Sequence, residues 1–235
     1  MEPIHPLAAE RRALIEMKEI VKVFHTGGGE FVALKNISVD FYHGEFASVV
    51  GKSGSGKSTL VNMITGIDHP TQGSVVIAGM PIHTLQESPM SVWRGKNLGI
   101  VFQFYQLLPT LSLLENVMLP MDFCNTYPAA ERKPRARDLL QRMGLAGAED
   151  KLPAAVSGGQ QQTAAIARAL ANDPPILIAD EPTGNLDSKT AEAVFELFSK
   201  LVEGGKTVVM VTHDPGLATR TNRVVHLHDG RLVEA

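Results

Sequence analysis

At 235 residues, 44% of them hydrophobic and 20% charged, the chain can bury one ample core or two closely joined subdomains, and it should fold as an ordinary soluble protein. A formal net charge of −3 supplies no global basic field, which argues against nucleic acid as a partner. The lone cysteine, Cys124, cannot form an internal disulfide; it fits a reducing compartment and reads as a small core residue.

Residues 1–12 lack the unbroken apolar stretch of a signal peptide, and Arg11 and Arg12 follow the apolar residues instead of preceding them. Residues 17–23 and 33–42 read as strands separated by a Gly-containing turn, and 47–50 as a short apolar strand. A helix is expected over 57–67 and a further strand over 73–78. Between residues 113 and 170 the strand signal gives way to Ala, Leu, Arg and Glu in amphipathic helical patterns. The charged run 131–138 within that stretch reads as a solvated helix face in preference to a lipid headgroup contact. Strand 176–179, helix 188–202 and strand 207–211 complete the order.

Alternating strands and helices predict an α/β fold with a mainly parallel core sheet and crossover helices. The early strands add a flanking antiparallel β layer. The expected organisation is one domain over 1–235, with an α/β core from about 1–112 and 171–235 and an inserted helical subdomain over about 113–170. No segment approaches the roughly 20 apolar residues that span a bilayer, so action at a membrane would require a second polypeptide. Met63, Met80 and Met118 read as fillers of core gaps. His226 and His228 read as surface histidines, because no further metal ligands accompany them.

Gly51, Lys52, Ser53, Gly54, Ser55, Gly56, Lys57 and Ser58 match G-x-x-x-x-G-K-[ST] directly after an apolar strand and before a helix. In such a loop the glycines let the backbone curl around phosphates, so that N–H groups and the helix N-terminus face the anion. Lys57 then offers a point charge to the β- and γ-phosphates, Ser58 a hydroxyl for Mg²⁺ and Thr59 a phosphate hydrogen bond. The loop alone leaves GTPases, small-molecule kinases and many ATPases open. Phe24, at the end of an early strand, could stack on a purine or serve as an ordinary core or edge aromatic.

The apolar strand 176–179 ends in Asp180 and Glu181. Neighbouring strand residues point different ways, so one carboxylate can serve Mg²⁺ while the next addresses a water. Ser157, Gly158, Gly159 and Gln160 precede a helix-compatible run. A capping hydroxyl and unshielded backbone N–H groups there would either dock an anion or simply begin a helix.

Taken in order, Gly51 through Thr59, Gln103, Ser157 through Gln160, Asp180 through Thr183, Gly184 through Asp187, and His213 resemble the ATPases of ABC (ATP-binding cassette) transporters. These are that family's Walker A, Q-loop, signature, Walker B, D-loop and switch histidine, and the likeness runs from about residue 15 to residue 233. The resemblance implies the family's P-loop fold and its cofactors, ATP and Mg²⁺. It further implies that Phe24 stacks on adenine, Gln103 senses Mg²⁺ and the attacking water, Asp180 supports Mg²⁺, Glu181 is the general base and His213 contacts the γ-phosphate. Asp187 would bridge subunits, and Ser157, Gly158, Gly159 and Gln160 would close over nucleotide held by the opposite chain. The implied assembly is a head-to-tail homodimer, peripheral on the cytoplasmic face of the membrane beside an integral-membrane permease.

Residues 53–60, Asn62, Gly66, Asp68, Pro70, Thr71 and Gly73, then 101–109 and 116–120, resemble the lipoprotein-release and macrolide-export ATPases and their cell-division relative. The expected role is energising export or extraction of lipoproteins or lipophilic substrates by a separate permease. A mechanotransmitter of envelope signalling or division is the alternative. Soluble relatives in DNA repair or translation carry long coiled-coil insertions or paired cassettes, neither of which is present. The chain departs from the family pattern at Thr163 and Ala164, where a basic residue usually occupies the first position. Residues 104–120, apolar and aromatic, read either as the receiving surface for a cytosolic helix of the permease or as plain helical core.

Overall fold

The computed structural model describes residues 12–233. Two sheets pack face to face across the main core. The first is antiparallel, built from β1 (Ala13–Thr26), β2 (Gly29–Tyr42), β4 (Gln72–Ile77) and β5 (Met80–Pro81) in the order β2-β1-β4-β5. The second contains β3 (Phe46–Val50), β6 (Leu98–Val101), β7 (Ile176–Asp180), β8 (Thr207–Thr212), β9 (Arg223–His228) and β10 (Arg231–Val233) in the order β10-β9-β3-β8-β7-β6. All neighbours in it pair parallel except β10 with β9. Every residue of β8 is buried, as expected of a parallel strand covered on both faces. From Ile37 onward β2 instead alternates buried with more exposed residues, because only one of its faces meets the core.

Between the sheets, Ile15, Met17, Ile37 and Phe41 of the antiparallel layer meet Val49, Ile178, Val209 and α1 (Lys57–Thr65), which contributes Leu60 and Ile64. On the opposite face of the parallel sheet, α6 (Ser188–Glu203) buries Phe195 and Phe198 against Phe46. A third cluster joins α3 (Leu113–Cys124), α4 (Ala129–Arg142) and α5 (Gly158–Ala169) through Leu113, Val117, Met121, Leu140 and Ala164. The short α7 (Pro215–Ala218) follows β8.

Several elements differ from their sequence reading for local reasons. Helix α1 stops at Thr65 because Gly66 takes a left-handed φ of 62° and caps the last turn through its N–H. Helix α2 (Glu87–Asn97) was not anticipated: only Met90 among its residues is buried, so it shows no apolar period. Met80 does not fill the core; it sits in a two-residue edge strand and is 41% exposed. Cys124 is only half-buried at the end of α3, packed over Gly95. Residues 104–112 form a loop, and helical structure begins at Leu113. The signal-peptide reading of residues 1–12 falls, except for Arg12, outside the described residues.

Candidate active site

Parallel strands in near-level register bring their C-terminal ends to one edge, where ligands of open α/β sheets bind. Val50 pairs with Thr212, Asp180 with Val211, and Val101 with Ala179, so the segments leaving β3, β6, β7 and β8 emerge together. Gly51, Gln103, Glu181 and His213 are carried to one place by this register.

The loop after β3 is tight enough to demand glycine. A Cβ on Gly51 would lie 2.2 Å from the Leu227 carbonyl oxygen. One on Gly56, whose φ is 103°, would lie 2.8 Å from that of Ala33. Gly54 also has positive φ, while Ser53 is exposed and Ser55 is buried beside Gly51. Lys57 is nearly fully buried, and its ammonium reaches back to donate to the carbonyls of Gly51 (2.9 Å) and Lys52 (3.1 Å). No side chain caps the start of α1, so its first N–H groups and positive dipole end face the loop. Ser58 and Thr59 occupy that first turn.

Across from the loop, the Ser58 hydroxyl faces the Asp180 carboxylate. Burial pushes the Asp180 carboxyl above its ordinary range; the Ser58 hydroxyl and Lys57 oppose the shift, and neighbouring Glu181 adds to it. Glu181 leaves the strand with a φ of 49°, held by its N–H donating to Val211 O at 2.9 Å. The turn places its carboxylate in a polar cluster. There Gln103 Nε2 lies 3.2 Å and His213 Nδ1 3.1 Å from the same oxygen, Glu181 Oε2. Asn185 Nδ2 donates to Gln103 O at 3.1 Å, tying the segment after β7 to the one after β6.

The signature residues stand elsewhere. Ser157 and Gln160 form a reciprocal capping box at the start of α5. Gly159 lies against Thr190, where a Cβ would come within 2.7 Å of Cγ2, and Gly158 faces the Tyr105 hydroxyl. Asp187 caps α6 by accepting from the Thr190 hydroxyl (2.7 Å) and N–H (3.0 Å), and these bonds hold its carboxyl below the usual range. Among the described residues no hydrogen bond joins Ser157 through Gln160 to the phosphate loop or to Glu181. Phe24 pairs across the β1–β2 hairpin with Phe31 and is 36% exposed. Lys22 covers its ring at 5.0 Å while bonding Asp68 at 2.6 Å, so one ring face is screened by a cation.

Sequence reasoning passed over several supporting residues. Arg168 donates to the carbonyls of Tyr105 (2.8 Å) and Gln106 (2.5 Å). Asn116, fully buried, bonds the N–H and carbonyl of Leu108 and the carbonyl of Leu111. A polar residue within an amphipathic helix carries no mark of which distant loop it will hold, so only the fold identifies these two. Beyond this loop a groove of about 600 Å³ opens between α2, α3 and α5, walled by Val92, Ile100, Phe102, Pro120 and Phe123. Arg94 also lines it; its Nε and Nη2 are buried without a hydrogen-bond partner, and Nη2 lies 3.7 Å from Glu87 Oε1.

A phosphate cradle at the C-terminal edge of a parallel sheet, facing a carboxylate pair, defines a nucleoside-triphosphate-binding cassette of the P-loop class. The family model described as ABC transporter matches residues 34–184. The "Lipoprotein-releasing system ATP-binding protein LolD" of Aquifex aeolicus is 46% identical over 200 residues, covering 85% of this chain and 89% of that one. The "Macrolide export ATP-binding/permease protein MacB" of Mannheimia succiniciproducens is 43% identical over 94% of this chain, which spans 34% of that longer protein. A solved structure, the dimeric post-hydrolysis state of the ATP-binding cassette MJ0796 bound to ADP and Pi, superposes with a TM-score of 0.88. It is 42% identical, covering 94% of this chain and 97% of that one. The chain belongs to the ABC transporter family, as an ATP-binding and ATP-hydrolysing cassette.

Proposed function

We propose that two copies pair head to tail and close over two ATP molecules, each gripped by the phosphate loop of one chain and the signature of the other. The observation that carries this reading is the convergence of Gln103 and His213 on Glu181 beside Ser58 and Asp180, while among the described residues Ser157 through Gln160 make no hydrogen bond to them. A single chain therefore offers half of each site. In the closed pair Lys57 has one ammonium donor left after its two loop carbonyls, and this meets a phosphate oxygen. Thr59 and the N–H groups of residues 53–58 hold the rest of the triphosphate. Glu181 orients and deprotonates the attacking water, while His213 and Gln103 fix the carboxylate and contact the γ-phosphate and water. Asp187 carries the contact between subunits, and the open face of Phe24 receives adenine.

Ser58, Asp180 and the Gln103 amide oxygen form a small set of hard oxygen donors, which suits Mg²⁺ completed by phosphate and water. When bound, that ion would neutralise charge on the phosphates; the residues named do the positioning.

Closing and reopening of the pair would drive a permease at the cytoplasmic face of the membrane; among the described residues no helix is long and apolar enough to cross it. The apolar groove bounded by Phe102, Pro120 and Phe123 is the proposed seat for a cytosolic permease helix, the inserted helices over about 113–170 moving with it. The named relatives are a lipoprotein-release and a macrolide-export protein, which favours extraction or export of a lipophilic substrate over signalling without transport.

Glu181→Gln tests the shared site. It should retain ATP binding, lose at least about 100-fold in kcat, and run as a dimer only with ATP and Mg²⁺. Light scattering that finds monomer alone would refute the scheme. Lys57→Ala should abolish tight binding of a fluorescent ATP analogue, and unchanged titration would refute the assigned loop.

A further inference from the structure

The loop that carries Gln103 is held in an unfavourable shape. Tyr105 and Gln106 are consecutive non-glycine residues with φ of 55° and 50°, a left-handed pair that costs energy unless its surroundings impose it. Apolar burial at the pair is small: Phe104 is 72% exposed, Gln106 is exposed and Tyr105 only half-buried, and Leu107 beside them packs partly on the helical cluster. The fixed points are polar. The guanidinium of Arg168, drawn from α5, donates one nitrogen to each of the two carbonyls, a two-pronged grip that lysine cannot reproduce. The Tyr105 hydroxyl lies beside the start of the same helix, 3.1 Å from where a Cβ on Gly158 would sit. The loop is thus bonded to the C-terminal end of the helix that begins at the signature and lies beside its N-terminal end.

We propose that Arg168 is a positioning residue for Gln103, holding Tyr105 and Gln106 left-handed so that the Gln103 amide stays on Glu181 and follows the movement of the signature helix. This rests on the reading of Gln103 and Glu181 given above. Because Arg168 also lines the groove proposed for the permease, one side chain touches the docking surface, the signature helix and the loop.

The test uses the full-length chain with ATP and Mg²⁺. In Arg168→Met, amide exchange over residues 102–108 should rise at least about tenfold; kcat should fall at least about tenfold with KM for ATP within about threefold. Arg168→Lys, which keeps charge and packing, should lie between. The decisive readout is rescue: Gln106→Gly in the Arg168→Met background should restore at least about threefold of kcat, since glycine adopts the left-handed shape unaided. Gln106→Gly alone should change kcat by less than about twofold. Unchanged exchange in both Arg168 variants would overturn the latch itself, and so would a kcat loss that glycine does not rescue. Faster exchange with unchanged kcat would instead overturn the reading of Gln103, which Gln103→Ala retaining full kcat would confirm.

Discussion

Asp180 and Glu181 are adjacent carboxylates with opposite surroundings. The first lies between the Ser58 hydroxyl and the strand end, where burial raises its pKa. The second is turned by its positive φ towards Gln103 and His213. A raised native pKa means that the folded chain holds the Asp180 proton more tightly than the unfolded chain does. Stability from this group is therefore complete below the ordinary carboxylate pKa and lost as pH rises through the native value. Asp180→Asn keeps an acceptor for Ser58 and removes the buried charge. The nucleotide-free variant should accordingly melt above the parent at pH 7, with the difference vanishing near about pH 3, where the parent carboxyl is protonated in both states. Differential scanning calorimetry across that range checks the sign, and a variant melting below the parent at pH 7 would contradict it.

The β1 strand shows how an element depends on one backbone position. At Glu19 the strand bulges, with φ of 53°, and its register against both β2 and β4 slips. Gly73 faces that bulge with φ of 92°, and a Cβ there would lie 2.5 Å from the carbonyl oxygens of both Lys18 and Glu19. Gly73→Ala should therefore cost about 2 kcal/mol or more, combining backbone strain with steric conflict. Urea unfolding measures this, and a loss below about 0.5 kcal/mol would show that the bulge yields freely. The bulge lies on the strand that ends near Phe24, and Lys22 just beyond it fixes the loop after α1 through Asp68. Thr163, where the family usually carries a basic residue, returns its hydroxyl to Gly159 O at 2.9 Å inside the signature helix. That bond competes for the helix's own acceptor and gives the signature segment a different local support.

At the scale of the molecule, three packed clusters divide the work: the core between the sheets carries the phosphate loop, the α6 layer backs Glu181 and His213, and the helical cluster presents the signature. The groove lies where the helical cluster meets β6, so an occupant would press on the helices and on the Gln103 loop together. Phe123 stands 79% exposed on its rim. Phe123→Glu should abolish co-purification with a permease from detergent extracts. The melting temperature of the isolated cassette should stay within about 2 °C, because an exposed ring has little burial to lose. Retained co-purification would place the docking surface elsewhere.

The amino-acid sequence by itself determined most of the strand and helix order, the mainly parallel sheet and the Gly-rich turn over 51–58, because those depend on local periodicity and on glycine spacing within a few residues; the four-residue β6 and three-residue β10 are too short to carry a period. It also marked Asp180, Glu181 and Ser157 as chemically able groups. Helix α2 stayed hidden because it buries only Met90, and Met80 was misread because a hydrophobic residue in a two-residue edge strand has nothing to pack against. Tertiary structure alone decided which groups meet: strand register delivers Gln103 and His213 to one oxygen of Glu181, while Ser157 is engaged in the capping box of α5. Arg168 belongs to the same category. Its partners lie 62 and 63 residues earlier in the chain, and hydrogen bonds across such distances are chosen by the packing of whole elements, which no local pattern encodes.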